Sequence, residues 1–212
     1  MKLLISGATG FIGKNLVKRL LKDGHDIGVI ARPSAHLEYF NDEHIKPYIF
    51  DGDIKDLIIF LKSNNFDGVI HLASLFLAQH QSEDIKNLID SNVLFSAILL
   101  EASVKSNIPW FINTGTFWQH FNNKEYSPVN LYAATKQAFE DISKYYLETS
   151  NINFVTIKLN DTFGPGDTRK KIFNLWMKIS KTKEELDMSD GEQIIDISYV
   201  DNVIEGYARI ID

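Results

Sequence analysis

The sequence predicts an α/β fold, a parallel sheet doubly wound with helices on both faces. Three observations predict it. Short apolar runs alternate with longer amphipathic ones through residues 1–160, the rhythm of repeated βαβ units. Several short runs are continuously apolar, as strands covered on both faces must be. A glycine-rich stretch, Gly7-Ala8-Thr9-Gly10-Phe11-Ile12-Gly13, joins the first apolar run to the first amphipathic one, where such a fold turns from strand into helix.

Lys2–Ser6 is apolar and stops at a glycine, so it reads as a buried strand. Phe11–Leu21 then sets Ile12, Leu16, Val17, Leu20 and Leu21 on one helical face. Asp23-Gly24-His25 turns the chain into a second strand, Asp26–Ala31, which Arg32-Pro33-Ser34 halts. Ile45–Phe50, Gly68–Ala73, Trp110–Asn113 and Phe154–Leu159 are further strands. Between them, Glu83–Ser106 predicts one long helix, with Ile85, Leu88, Ile89, Val93, Ile98, Leu99 and Leu100 on a wide apolar face. Leu131–Thr149 predicts a second. After residue 160 the pattern loosens. Gly164-Pro165-Gly166-Asp167 breaks the chain, Lys170–Ser180 reads as a helix, Gln193–Ser198 as a strand and Val200–Ile211 as a helix. The expected division is a nucleotide-binding domain over 1–160 and a small, incomplete lobe over 161–212. The strand and helix near 193–211 are expected to pack back on the first domain.

Composition narrows the function classes. With 44% hydrophobic and 24% charged residues, the chain has ordinary globular composition, which argues against disorder. No continuous apolar run approaches the ~20 residues that cross a bilayer. The N-terminus lacks the long apolar region and cleavage site of a signal peptide. Zero cysteines exclude disulfides, thiolate metal sites and a thiol nucleophile. A net charge of -6 argues against a nucleic-acid footprint. The six histidines show no ligand spacing, so no metal is expected. A cytoplasmic protein that engages neither nucleic acid nor membrane is the expectation.

The glycines permit a tight turn and close backbone approach, and the following helix offers free N–H groups and a positive dipole end to a pyrophosphate. Gly7, Thr9, Gly10, Phe11, Ile12 and Gly13 are therefore the expected cofactor contacts; the competing reading is a plain βα turn. An acid about 20 residues on would hold an adenosine ribose 2′-hydroxyl. That region reads Val29-Ile30-Ala31-Arg32, and Arg32 suits a 2′-phosphate through paired N–H groups. NADP(H) is expected ahead of NAD(H), unless Arg32 is only a solvated turn residue.

Tyr132-Ala133-Ala134-Thr135-Lys136 lies early in a predicted helix, so the phenol and ammonium share a face one turn apart. A nearby ammonium and an oxidised nicotinamide favour phenolate and suit the Tyr to proton transfer. Thr114, placed just past the strand Trp110–Asn113, can hold a substrate oxygen for Tyr132, and Thr116 could contribute similarly. Arg169-Lys170-Lys171 either steers a diphosphate or is the solvated start of a helix, the latter preferred.

Together these residues resemble the extended short-chain dehydrogenase/reductases of the NAD-dependent epimerase/dehydratase family, which have a Rossmann fold and act on nucleotide sugars. The resemblance is carried by the glycine loop, Gly52-Asp53-Ile54, His71-Leu72-Ala73-Ser74, Asn92, Thr114, Tyr132/Lys136, Phe163-Gly164-Pro165-Gly166 and Tyr199-Val200-Asp201-Asn202-Val203. It implies that Asp53 and Ile54 contact the adenine, although Asp53 also reads as a helix cap. It further implies that Leu72, Ala73 and Ser74 line the nicotinamide side, that Lys136 hydrogen-bonds the ribose, and that Asn92 and Tyr132 belong to the cofactor site. His71 reads as a buried strand-end histidine. A homodimer through the two long helices is implied as well.

Three stretches resemble the branch making CDP-abequose or CDP-paratose: Ile112-Asn113-Thr114-Gly115-Thr116-Phe117, Phe163-Gly164-Pro165-Gly166-Asp167 and Asp190-Gly191-Glu192-Gln193-Ile194. Departures from the family pattern are Trp118-Gln119 for Tyr-Gly, Lys158 and Asp161 for Arg and Asn, and Ile195 for an Arg that meets the nucleotide. Family members also continue into a longer substrate lobe, so the chain reads as a fragment or a reduced form. The implied activity is NADPH-dependent reduction of a nucleotide-linked 4-keto-6-deoxy sugar, with Thr114, Tyr132 and Lys136 catalytic and Thr114, Thr116 and Asp161 on the substrate. The alternatives are an NAD-dependent 4-epimerase or 4,6-dehydratase, and a non-catalytic dinucleotide-binding protein.

Overall fold

The computed structural model describes all residues except 170, 186, 189, 193 and 212. Six parallel strands form one sheet in the order β3-β2-β1-β4-β5-β6. They are β1 (Lys2–Ser6), β2 (Asp26–Ala31), β3 (Ile45–Ile49), β4 (Gly68–His71), β5 (Trp110–Thr116) and β6 (Asn153–Leu159). β4 is buried along its whole length and β1 nearly so, which is why their sequences are apolar without alternation. β3 is an edge strand, where the ladder tolerates a proline, Pro47, opposite Val29. Two glycines make room for rings on the sheet. A Cβ on Gly68 would lie 2.1 Å from the Trp110 indole, and one on Gly28 would lie 2.5 Å from the Phe66 ring.

Helices α1 (Phe11–Lys22), α2 (Ile54–Asn64), α3 (Asp84–Ile89), α4 (Phe95–Lys105) and α5 (Leu131–Thr149) make the crossovers. α2 is pinned at its start by Asp53, whose carboxylate accepts from the N–H groups of Lys55 and Asp56. Asn130 does the same for α5, accepting from Ala133 N–H at 2.9 Å. The long helix predicted over 83–106 is real but not uniform. A π-helical turn, Asp90–Leu94, separates α3 from α4 and carries the buried Asn92. An inserted residue of this kind re-aims one side chain without ending the helix. By length and composition Asp84–Lys105 also suffices to cross a bilayer, at mean hydropathy 1.3. Its buried face nevertheless carries polar groups bonded inside the α/β unit: Asn92, Ser96 and Ser103.

The chain separates into two compact units, Met1–Leu159 and Asn160–Asp212. In the second, β7 (Asp161–Phe163) and β8 (Ile197–Tyr199) pair in parallel, joined through α6 (Ile172–Thr182) and followed by α7 (Val200–Ile211). Phe163 meets Phe173 at 5.1 Å and Tyr199 at 5.6 Å, giving this unit a small aromatic core. The strand expected over Gln193–Ser198 is shorter and later, Ile197–Tyr199, and Gln193 itself lies outside the described residues. Lys170, in the expected basic cluster and helix start, also lies outside them.

Candidate active site

Because the six strands are parallel, their C-terminal ends share one edge of the sheet. There the chain brings together the glycine loop, Arg32, Asp53, Leu72–Ser74 and Thr114. β1 and β4 are neighbours at the point where the strand order reverses, the crevice in which such sheets take ligands.

The glycine loop fits a dinucleotide on its own geometry. Gly7 has φ +73°, and a Cβ there would stand 2.5 Å from Ala73 N. A Cβ on Gly13 would stand 2.2 Å from the Gly7 carbonyl oxygen. The loop is therefore a cradle that side chains would fill. Gly10 caps α1 without a side-chain acceptor, and the first turn, with Phe11, Ile12 and Gly13, contains no acid. Its N–H groups and dipole suit a pyrophosphate. Thr9 lies within the same loop. Arg32 is exposed immediately past β2, beside β1 through the Ser6–Ile30 register.

Asp53 caps α2 with bonds of 2.7 Å and 3.4 Å, the second of its two readings, and Ile54 opens that helix. Asn92 sits at the centre of the β4 side. Its Oδ1 accepts from Leu75 N–H at 2.7 Å and from the Ser74 hydroxyl at 3.1 Å. Its Nδ2 donates to the Leu75 carbonyl and to Thr135 Oγ1, both at 3.0 Å. These four bonds saturate the amide, so Asn92 positions the Leu72–Leu75 loop rather than reaching a cofactor itself. His71 is fully buried, with Nδ1 2.6 Å from Ser6 Oγ and Nε2 2.8 Å from Ser96 Oγ. Ser6 Oγ also accepts from Ala73 N–H at 3.3 Å. Desolvation, then the charge of Lys136, pushes the His71 pKa well below its usual value.

Tyr132 and Lys136 occupy the first two turns of α5. Lys136 is only 1% exposed, and desolvation lowers its pKa to about 8 against the pull of Glu140. Thr114 differs from expectation in one respect. β5 does not end at Asn113 but pairs with β6 as far as Thr116, so Thr114 stands inside the strand opposite Ile157. The sequence reading ends the strand at Asn113, yet the ladder continues through Thr116. A Cβ on Gly115 would lie 2.8 Å from Thr156 Cγ2.

Thr116 is buried, and its hydroxyl accepts from Trp118 N–H at 3.3 Å. It caps the short 3-10 turn Phe117–Gln119, a structural role beside the substrate contact expected of it. Gln119 is the functional-site residue that spacing did not single out. Fully buried, it accepts from Thr116 N–H at 2.9 Å and donates to Gln137 and Glu140, each at 2.8 Å. It thus ties the end of β5 to the helix bearing Tyr132 and Lys136. Glu140 in turn pairs with Lys158 at 3.3 Å, and Lys158 lies 2.7 Å from His120 Nε2. The only advance sign of Gln119 was its departure from the family's usual residue.

In the second unit Asp161 is ion-paired with Lys171, and Arg169 grips Asp167 and the Thr162 carbonyl. Burial raises the Asp167 carboxyl, but the hydrogen bonds and charge of Arg169 outweigh it and hold the pKa below the usual range. These basic side chains are bound into their own unit, unlike a loose solvated helix start.

Fold and site define a dinucleotide-binding α/β enzyme with a Tyr-x-x-x-Lys pair on the helix following β5. The chain belongs to the NAD dependent epimerase/dehydratase family, whose model matches residues 3–212. It is 30% identical to the CDP-abequose synthase of Salmonella typhimurium, over 99% of this chain and 69% of that protein. The UDP-glucose 4-epimerase of Thermotoga maritima, solved with UDP-glucose, superposes with a TM-score of 0.88 at 20% identity, covering all of this chain and 74% of that one. The UDP-glucuronic acid 4-epimerase of Bacillus cereus in complex with NAD gives 0.86 at 23% identity, again over all of this chain and 74% of that one.

Proposed function

We propose that the protein is an NADPH-dependent reductase of a nucleotide-linked 4-keto-6-deoxy sugar, CDP being the favoured nucleotide, and that it works as a cytoplasmic homodimer. The observation that carries the cofactor choice is Ala31-Arg32 at the end of β2, where a guanidinium stands in place of an acid. The likeness to a CDP-abequose synthase supports the substrate class. When bound, the reduced cofactor supplies hydride to the C4 carbonyl carbon. Tyr132 donates its phenolic proton to the carbonyl oxygen as that oxygen gains the electron pair, yielding the C4 alcohol. Thr114 holds the same oxygen, and Lys136 holds the nicotinamide ribose while its charge favours the phenolate left on Tyr132. Asp53, Ile54 and Leu72–Ser74 flank the cofactor, and Asp161 is assigned to the substrate. Ile85, Ile89, Leu94 and Tyr145, exposed on the two long helices, supply an apolar dimer face.

The test is a parallel titration with NADPH and NADH by nicotinamide fluorescence, followed by turnover of CDP- and dTDP-linked 4-keto-6-deoxy sugars. Tighter, freely exchanging NADPH with sugar reduction supports the reading. Preference for NADH, or dinucleotide retained through purification, overturns it in favour of an epimerase. Tyr132→Phe is expected to abolish turnover with cofactor affinity nearly unchanged; near-normal turnover in that variant removes Tyr132 as proton donor.

A further inference from the structure

Beside Tyr132 the first unit carries two rings that neither fold nor cofactor accounts for. Phe76 is 42% exposed, and its ring meets Tyr132 edge-on at 5.0 Å and 83°. Trp118 also meets Phe76, at 5.5 Å and 60°. The backbone that carries them is held by hydrogen bonds. The residue before Phe76 is clamped by Asn92 at both its N–H and its carbonyl. The two residues after it accept from Asn130 Nδ2 through the Leu77 and Ala78 carbonyls, at 3.4 Å and 3.0 Å. Asn130 is also the cap of the helix bearing Tyr132. Trp118 is held likewise: its N–H donates to Thr116 Oγ1, and its carbonyl accepts from Val129 N–H at 2.9 Å. Two rings are thus fixed in place next to the candidate proton donor, Phe76 exposed and Trp118 half-buried, an arrangement pre-organised for a ligand.

We infer that Phe76 and Trp118 form an aromatic wall that receives the deoxygenated edge of the sugar and selects a C6 methyl over a C6 hydroxymethyl. The inference rests on the reductase reading above and names what that site discriminates. Ring faces pack against methyl and C–H groups and offer no partner to a hydroxyl, which would surrender its water there unpaired. A pocket of this kind separates such a pair by about tenfold to a hundredfold.

The experiment compares calorimetric binding of 6-deoxyglucose and glucose nucleotides, in both the CDP and dTDP series, to the whole chain saturated with NADP+. The wild type is expected to bind the 6-deoxy ligand at least about tenfold more tightly. Phe76→Ala and Trp118→Ala should bring that ratio toward one with cofactor affinity unchanged, and Trp118→Phe should keep it. Equal affinity of the wild type for the two sugars, or an unchanged ratio in both alanine variants, overturns the wall while leaving the reductase reading standing. Cofactor binding with no binding of any of the four sugar nucleotides overturns the substrate class, and the wall with it.

Discussion

Replacing Lys136 by methionine separates the two things this residue does. Its side chain is 1% exposed, and desolvation takes its pKa from 10.5 to about 8 despite the opposing pull of Glu140. That shift, at about 1.4 kcal/mol per pK unit, corresponds to a folding penalty of about 3 kcal/mol at neutral pH. The sign follows from proton binding. Below pH 8 folded and unfolded chains both carry the proton, and the whole penalty applies. Between pH 8 and 10.5 the folded chain releases its proton first, the unfolded chain binds more, and stability rises with pH. Methionine keeps the apolar stem and never carries the charge. Lys136→Met should therefore be more stable than the wild type by up to about 3 kcal/mol at pH 7, with the gap closing as pH approaches 10.5. Losing a favourable partner for Glu140 offsets part of that gain. Guanidinium denaturation of both cofactor-free chains at pH 7 and pH 10 measures it, provided the slope of the transition is unchanged. A gain independent of pH, or a less stable variant at pH 7, refutes desolvation as the cause. Turnover should be lost whatever happens to stability.

Arg32→Ala should weaken NADPH by about tenfold or more while leaving NADH nearly untouched, since a guanidinium bonded to a phosphate contributes roughly 1.5–3 kcal/mol. Equal effects on the two cofactors by fluorescence titration would show that Arg32 does not meet the 2′-phosphate. Gly7→Ala forces a Cβ to within 2.5 Å of Ala73 N at φ +73°. It should destabilise by more than about 1 kcal/mol and remove dinucleotide binding, both read from thermal melts with and without cofactor. Asn92→Ala leaves Leu75 N–H without its acceptor, so a loss of about 1–3 kcal/mol is expected in denaturant melts. A neutral result would mean that water replaces the amide.

The sheet was legible because burial on both faces leaves little choice of residue. β1, β2 and β4 are apolar runs bounded by glycine, proline or loop residues, and such runs announce strands without any alignment. α5 was legible to its last residue, Asn130 capping one end and Ser150 following the other. What escaped was set by tertiary contact. β5 runs on past Asn113 through Thr114-Gly115-Thr116 because β6 offers a ladder for three further residues. The π turn at Asp90–Leu94 has no local signature; it exists because Asn92 gains four partners from segments distant in sequence. At the site, the glycine loop and the Tyr132/Lys136 pair are local patterns and could be read as such. Gln119 and Phe76 could not, since their roles depend on Glu140 and Tyr132 arriving from another element.

The protons around His71 run in one direction. Ser96 Oγ donates to the Asn92 carbonyl at 2.9 Å, so it meets His71 as an acceptor and Nε2 carries the imidazole proton. Nδ1 must then accept from Ser6 Oγ, whose lone pairs receive Ala73 N–H. A second proton on His71 would displace the Ser6 hydroxyl hydrogen from Nδ1 and place an imidazolium near the Lys136 ammonium, inside the same buried region. Burial and the Lys136 charge both disfavour the charged imidazole, so the positive charge belongs to Lys136. The neutral imidazole thus links Ser6, beside the glycine loop, to Ser96, while the neighbouring charge is carried by Lys136, the residue that serves Tyr132.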